Sequence, residues 1–312
     1  MALDTYQELW NRVLLRCPSA SSFLAKDWIT NAFRQVAERR RWSWLLKFGQ
    51  FVVPQQVVDG TCTVTNGSAT VTGIGTAWTP ELVGRQFRIG RGTPIYTISA
   101  VASATSLTLD APFGSKTAVN TTYQIYQCYF TPPEDFHSFL SVWDPANSWQ
   151  LHLNVTQPEL NSMDAQRSNM GQVYCVVALN YSPVTGTTPG LPRYELWPHP
   201  TSEYCYPFMY EGRAADLQDP GAALPRYIRG DVLMELALAD AARWPRPSTD
   251  KPNPYYNLRL AEMHQIRAER MLLQLELQDD NTYEYDLTYQ SVTGMPFAAP
   301  YGDSAWVQSH AL

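Results

Sequence analysis

The stretch from residue 61 to residue 78 constrains the fold of this chain most strongly. It reads Thr-Cys-Thr-Val-Thr-Asn-Gly-Ser-Ala-Thr-Val-Thr-Gly-Ile-Gly-Thr-Ala-Trp, with alternating runs on both sides of Asn66-Gly67. An Asn-Gly pair in this setting favours a β-hairpin with a type I′ turn, which needs positive φ at both central residues. The predicted pairing places Val64 opposite Ala69 and Cys62 opposite Val71. Because the stretch carries no catalytic group, it indicates a scaffold.

Helical periodicity lies on both sides of a long β-rich region. Apolar residues recur at helical spacing in four stretches, at 5–17, about 23–46, about 226–244 and about 255–277. The first stretch begins with the capping box Thr5-x-x-Glu8. Between these pairs of helices, short alternating runs are separated by turn clusters every 8–12 residues or so, as in small barrels and sandwiches.

The sequence therefore predicts an α+β fold. It consists of a helical bundle with two N-terminal and two C-terminal helices, an inserted β-barrel or sandwich-like region, and an extended C-terminal arm. The predicted domains are the bundle (1–48 and 222–280), an inserted β module (49–130), a second β-rich region (131–221) and the C-terminal arm (281–312).

Charge and composition favour a protein that binds other proteins. The net charge is −6, which argues against a general binder of nucleic acid or of an anionic membrane. Of the 23 cationic residues only four are lysines, and the chain has 18 tyrosines and 10 tryptophans. Arg, Tyr and Trp are enriched in the buried parts of protein interfaces, whereas Lys is depleted there. An ordinary aromatic-rich core is the alternative.

No catalytic, metal or cofactor motif is found. The chain has no nucleophile elbow, no phosphate-binding loop and no zinc-protease motif, and its five histidines are scattered. Its five cysteines are an odd number without regular spacing, which indicates reduced thiols. Glu134-Asp135 follows two prolines and is interpreted as structural. No signal peptide or membrane-spanning run is visible, so we expect synthesis in a cytoplasm and no membrane contact.

Two groups of residues are candidates for partner contacts. The basic triplet at the end of the second helix and the nearby tryptophans form the first group: Arg39, Arg40, Arg41, Trp42 and Trp44. The second group lies in the C-terminal arm, which is too apolar for a solubilising tail: Phe297, Tyr301 and Trp306. A solvated helix end and a disordered terminus are the respective alternatives.

Three features resemble the head-to-tail adaptor (connector) proteins of tailed bacteriophages, in the long form found in short-tailed phages. The first is the stretch from Val64 to Trp78, with its continuation Phe87-Arg-Ile and Pro94-Ile-Tyr-Thr-Ile98. The second is Tyr194-Glu-Leu-Trp-Pro-His-Pro200, followed by a tyrosine-rich strand. The third is the order of parts, from helix pair through β region and helix pair to arm.

This resemblance implies a structural virion protein at the head–tail junction, made in the host bacterial cytoplasm. It implies a ring of copies, twelve in the family, that joins the portal protein to tail or nozzle proteins and lines the DNA channel. Double-stranded DNA would pass without specific binding, because an acidic wall offers phosphates few cations. The competing interpretation is a tail spike or baseplate protein with a carbohydrate-binding β module, in which Trp143, Trp149 and Trp197 stack on sugars.

Overall fold

The computed structural model describes residues 5–90, 92–181, 190–217, 219–221, 223–224, 228–245 and 253–282. These residues include five α-helices: α1 Tyr6–Arg16, α2 Ser22–Glu38, α3 Gln157–Asp164, α4 Gly230–Arg243 and α5 Leu258–Thr282. They also include fourteen strands: β1 Leu46–Val53, β2 Thr61–Val64, β3 Thr70–Ile74, β4 Gln86–Arg88, β5 Tyr96–Ser103, β6 Ser106–Leu109, β7 Ala118–Thr121, β8 Gln124–Tyr126, β9 Tyr129–Phe130, β10 Phe136–Asp144, β11 Trp149–Gln150, β12 Cys175–Tyr181, β13 Pro192–Trp197 and β14 Tyr204–Gly212.

The chain divides into two compact units. The described part of the first is residues 5–47 with 211–282, and that of the second is residues 48–210. The finer division into bundle, two β regions and arm stays a prediction.

The first unit is a set of four helices, α1, α2, α4 and α5, around one apolar core. Thr5 caps α1 through the predicted capping box, since its hydroxyl accepts from the Glu8 N–H and the Glu8 carboxylate accepts from the Thr5 N–H. Fully buried aliphatic residues of the unit's helices meet in the core, including Leu9, Ile29, Val36, Val232 and Leu233.

Helix α2 ends at Glu38, well before the predicted end near residue 46. After this point the chain turns back, and Trp42 is buried with its indole N–H donating to the carbonyl of Val36 over 2.7 Å. That hydrogen bond satisfies one of the carbonyls that a helix end leaves open. Residues 43–45 then form a single 3₁₀ turn, and the chain continues directly into β1.

The second unit contains three antiparallel sheets. The largest has seven strands in the order β7-β2-β3-β6-β5-β4-β8 and curls into a half-barrel with open edges. A four-stranded sheet has the order β1-β14-β10-β11, and a three-stranded sheet has the order β12-β13-β9. The seven-stranded sheet has an apolar core of its own, and the residues of the two smaller sheets share another.

The predicted hairpin is present, but its register is wrong by two residues. Val64 pairs with Val71, not Ala69, and Cys62 pairs with Gly73. The loop is longer than a two-residue turn because it is held from outside: the Gly67 N–H donates to the carbonyl of Phe113 over 2.8 Å, and the Asn66 side chain donates to the carbonyl of Ser115. A shift of two residues keeps every side chain on its predicted face.

The predicted fold class is wrong. The molecule is a mixed α/β protein, rich in antiparallel strands, and not a helical bundle with a β insertion. The physical reason is that the strands between residues 46 and 212 bury apolar cores of their own, and the main sheet has open edges where the prediction had a barrel or sandwich. The last part of the predicted C-terminal arm, residues 283–312, lies outside the described residues.

Candidate partner interface

Arg39 and Arg40, the first two candidates, bind within their own unit. The Arg39 guanidinium lies 2.6 Å from the Glu276 carboxylate (Nε to Oε1) and 3.3 Å from that of Glu269 (Nη1 to Oε2), both on α5. Arg40 donates to the carbonyl of Glu276 over 3.5 Å, and its guanidinium lies over the ring of Trp42. The structure therefore uses these two cations to fasten the end of α2 to α5.

The other three candidates of this group differ in exposure. Arg41 is exposed and pairs with Glu211, with 3.1 Å between its Nε and the carboxylate. Trp42 is buried and so offers no surface to a partner. Trp44 is partly exposed, and with Phe33 and Leu217 it lines a groove of about 560 Å³ that Lys47 and Asp216 flank. Arg41 and Trp44 are thus the members of the group that stay accessible.

The second group of candidates, Phe297, Tyr301 and Trp306, lies outside the described residues. The structure therefore gives no placement for these side chains, and their part in an interface stays a prediction.

One face of helix α5 is packed inside the helical unit. Ala261, Ala268, Leu272 and Leu275 are buried on this face. His264 on the same face is bonded at both ring nitrogens: Nδ1 lies 2.6 Å from the Glu235 carboxylate, and Nε2 lies 2.8 Å from the Tyr255 hydroxyl. This inner face accounts for the attachment of α5 to α4.

A second apolar face of α5 points to solvent. Its residues follow one another at steps of four and three, so they lie on one side of the helix. We call them the α5 stripe: Arg259, Met263, Ile266, Arg270, Leu273 and Leu277, all exposed. The side chains of Leu273 and Leu277 are 53% and 64% exposed. A helix with one packed apolar face and a second one in solvent is typical of a subunit that binds another protein.

A second candidate site is a cluster of buried polar side chains in the second unit. The Arg167 guanidinium donates to the Glu195 carboxylate over 2.7 Å, to Gln157 and to Asn161. His199 lies beside Glu195, with 3.5 Å between Nε2 and Oε1, and is completely buried. Burial raises the pKa of Glu195, but hydrogen bonds from His199, Arg167 and Gln157 outweigh it and leave the pKa below its ordinary value.

This cluster holds strands and loops together. Arg88 on β4 donates to the Arg167 carbonyl over 2.8 Å, and Glu195 lies on β13, so the cluster links the seven-stranded sheet to the three-stranded one. The Glu195 and His199 side chains are 2% and 0% exposed, respectively, so no substrate reaches them. We therefore interpret the cluster as structural.

The thiols and carboxylates show no metal site or nucleophile within the part of the chain that the structure describes. Four cysteines are buried and only Cys205 is exposed. Burial raises the pKa of the Cys62 thiol to about 12 and that of Cys175 to about 11, so both stay protonated and unreactive at neutral pH. No group of three His, Cys, Asp or Glu side chains that would hold a metal ion is found among these described residues.

The acidic pair Glu134-Asp135 is split between two environments. Asp135 accepts a hydrogen bond from the Tyr210 hydroxyl over 3.1 Å, while Glu134 is exposed. Among the helices of the described residues, none has an apolar stretch long enough to cross a lipid bilayer.

No protein-family model matches this chain, and no curated protein matches it.

Sequence reasoning missed the α5 stripe, although its signal was present. The sequence predicts one long helix from about residue 255 to residue 277, without assigning its apolar residues to faces. The steps from Met263 to Ile266, Arg270, Leu273 and Leu277 already describe a heptad pattern, separate from that of the buried residues. Only the structure shows which of the two patterns is packed inside.

Proposed function

We propose that this chain is a structural assembly protein of a tailed bacteriophage, a multi-copy ring adaptor that joins the portal to the tail and lines the DNA channel. The observation that carries the proposal is the α5 stripe. Four large apolar side chains and two arginines on one exposed helix face form the composition found in the buried centre of protein interfaces.

Other features of the chain support the proposal. The groove beside Trp44 offers an apolar floor with a charged rim, and Arg41 stays exposed nearby in sequence. The net charge of −6 suits the wall of a channel through which DNA slides without binding. The resemblance to phage adaptors in the hairpin stretch and in the Tyr194–Pro200 stretch is the reason for proposing the head–tail junction as the assembly.

The rival function, a sugar-binding spike or baseplate module, needs exposed aromatic faces. Trp149 is exposed, but Trp143 and Trp197 are only partly so, and the indole N–H of Trp197 donates to Asp164 over 3.2 Å. These three side chains therefore give the rival less support than the α5 stripe gives to assembly.

The test of the proposed function is the mass of the purified chain in solution, alone and after mixing with the portal protein of the same phage. We expect a stable ring of copies on the portal. The double variant Leu273→Glu with Leu277→Glu should lose at least ten-fold in apparent affinity, because two charges replace apolar contacts. The matched control is Leu15→Glu, a leucine of α1 that is 81% exposed and lies outside the stripe.

No association of the unmodified chain with the portal would overturn the proposal. Polysaccharide binding by the monomer or by a closed trimer would favour the spike or baseplate function instead.

A further inference from the structure

The α5 stripe carries two guanidinium groups among its apolar side chains. Arg259 and Arg270 are exposed, and neither forms an ion pair with another described residue. Arg267, one position beside the stripe, pairs with Glu235 on α4. A surface with unpaired guanidinium groups between apolar side chains fits an occupant that is both apolar and acidic.

A second stripe would be a poor occupant. If two α5 helices packed in parallel, Arg270 would face its own counterpart, which is unfavourable in an apolar contact. If they packed antiparallel, Glu269 would face its counterpart, and this carboxylate already binds Arg39. The stripe is therefore not self-complementary in charge.

The composition of residues 283–312 complements that of the α5 stripe, because the segment is apolar and acidic whereas the stripe is apolar and basic. Residues 283–312 contain the acidic residues Glu284, Asp286 and Asp303 and no lysine or arginine. They also contain many large apolar and aromatic residues: Tyr283, Tyr285, Leu287, Tyr289, Val292, Met295, Phe297, Tyr301 and Trp306. We propose that residues 283–312 of one copy bind the α5 stripe of a second copy.

Length permits this contact. The stripe runs over residues 259–277, about 27 Å along a helix axis. A segment of thirty residues spans at most ~100 Å when extended, so it reaches well past the helix from which it starts. The same length also lets the segment fold back onto the stripe of its own copy, since about eight extended residues cover ~27 Å, so the experiment below is designed to separate the two arrangements.

Binding between copies uses two different surfaces, a donor segment and a receiving helix, and such heterologous contacts generate rings when the rotation closes. This inference rests on the proposed function and names the contact that would join neighbours in the ring.

The test is disulfide cross-linking of the full-length chain with Cys205→Ser as background, since the other four cysteines are buried. One chain carries Gln274→Cys, which is exposed beside the stripe and leaves the stripe intact. The other carries Ser304→Cys near Trp306, together with a tag that changes its size. Mild oxidation should join the two different chains.

Two controls sharpen the experiment. Asn11→Cys, an exposed position on α1, replaces Gln274→Cys and should give at least ten-fold less mixed product. Adding Arg270→Glu to the Gln274→Cys chain should lower the yield of mixed product several-fold, because it turns attraction for the acidic segment into repulsion. Raising the salt concentration should act in the same direction.

Two outcomes would overturn the inference. In the first, a chain that carries both cysteines cross-links within itself at high dilution while mixed chains do not, which means that each segment covers its own stripe. In the second, neither product forms although the chain assembles on the portal, which removes this contact and leaves the ring adaptor standing. Mixed cross-links without any binding to the portal would support the contact and refute the adaptor function.

Discussion

Gly49 on β1 shows how closely the second unit is packed at the level of single residues. A Cβ atom placed there would lie 2.5 Å from Cζ of Phe208, well inside van der Waals contact. The Phe208 ring has little room to move, since it packs against Phe51 and Phe139 at centroid distances of 5.8 and 5.3 Å. The absence of a side chain at Gly49 is thus what lets this ring lie across β1.

Gly49→Ala should therefore destabilise the protein. We expect the free energy of unfolding to fall by about 1–3 kcal/mol, the usual cost of overpacking a core. Urea unfolding followed by fluorescence measures the change. Gly114→Ala is the matched control, because its new Cβ would lie 3.6 Å from the Tyr96 hydroxyl, an ordinary contact. Equal effects of the two substitutions would contradict the steric explanation.

The buried carboxylate of Glu195 gives a prediction in pH. Its folded-state pKa is lowered from the ordinary value of 4.5, so ionised Glu195 contributes stability above that pH, and the contribution is lost as pH falls through the folded pKa. Glu195→Gln should cost ~3 kcal/mol or more at pH 7, because it leaves the Arg167 guanidinium without its carboxylate partner in the interior. Its loss of stability on acidification should be smaller than that of the unmodified chain.

Unfolding measured from pH 7 down to pH 3 tests this prediction, with Glu203→Gln at an exposed position as the control. An unchanged acid dependence in Glu195→Gln would contradict it. Sequence alone did not reveal the cluster, because Arg167 and Glu195 are far apart in the chain and meet only when the loop that follows α3 packs against β13. The basic triplet that contains Arg39 and Arg40 is recognisable in the sequence, but the contacts of these two arginines with α5 are not predictable from it.

At the level of whole elements, Asn253 connects three parts of the helical unit. Its side-chain amide donates to the carbonyls of Ala241 and Trp244 at the end of α4, over 3.1 and 2.8 Å. Its carbonyl oxygen accepts from Ser19 and Cys17, which lie between α1 and α2. A nearly buried side chain with such partners fixes how the helices meet.

Asn253→Ala should lower the free energy of unfolding by about 2–4 kcal/mol, because more than one buried polar group loses its partner. Asn257→Ala is the comparison: among the described residues, its side chain accepts from the Leu260 N–H at the exposed start of α5, a cap worth about 1 kcal/mol. Thermal unfolding of both variants distinguishes them, and a smaller loss at Asn253 than at Asn257 would refute the role of Asn253.

Elements with local signals were predicted well, and those that depend on distant contacts were not. The capping box of Thr5 and Glu8 predicts the start of α1, and alternation predicts that the region between the helix pairs is rich in strands. The end of α2 was missed because it depends on Trp42 folding back onto Val36. The hairpin register was missed because residues 113–117 hold the loop.

At the level of the whole molecule, fold class could not be read from the order of elements alone. Helices at both ends and strands between them suggested a bundle with an insertion. Which part is the insertion depends on where apolar side chains are buried, and here the strands have cores of their own. The candidate interface also depends on burial. Periodicity predicts which residues share a face of α5, but it does not predict which face stays exposed.

Removing the chain after Ser291 is the prediction for the whole molecule. The truncated protein should unfold at the same temperature as the full chain within a degree or two, because the described helical core lies before this point. It should fail to join the portal ring, since it lacks Phe297, Tyr301 and Trp306. Calorimetry and the mass of the mixture with portal protein measure the two properties. Normal assembly of the truncated chain would show that the segment is dispensable.

The helical unit is built from two segments that lie far apart in the sequence, and this has a consequence for synthesis. The apolar faces of α1 and α2 leave the ribosome well before the α4 residues that cover them, such as Val232 and Leu233, which come after residue 229. At ~5–20 residues per second, translation of residues 39–229 takes ~10–40 s. During this interval the newly made helices α1 and α2 are open to chaperones and to mispairing, and α5 is made only after α4. A nascent chain therefore has no finished surface for its neighbours until α5 has been made.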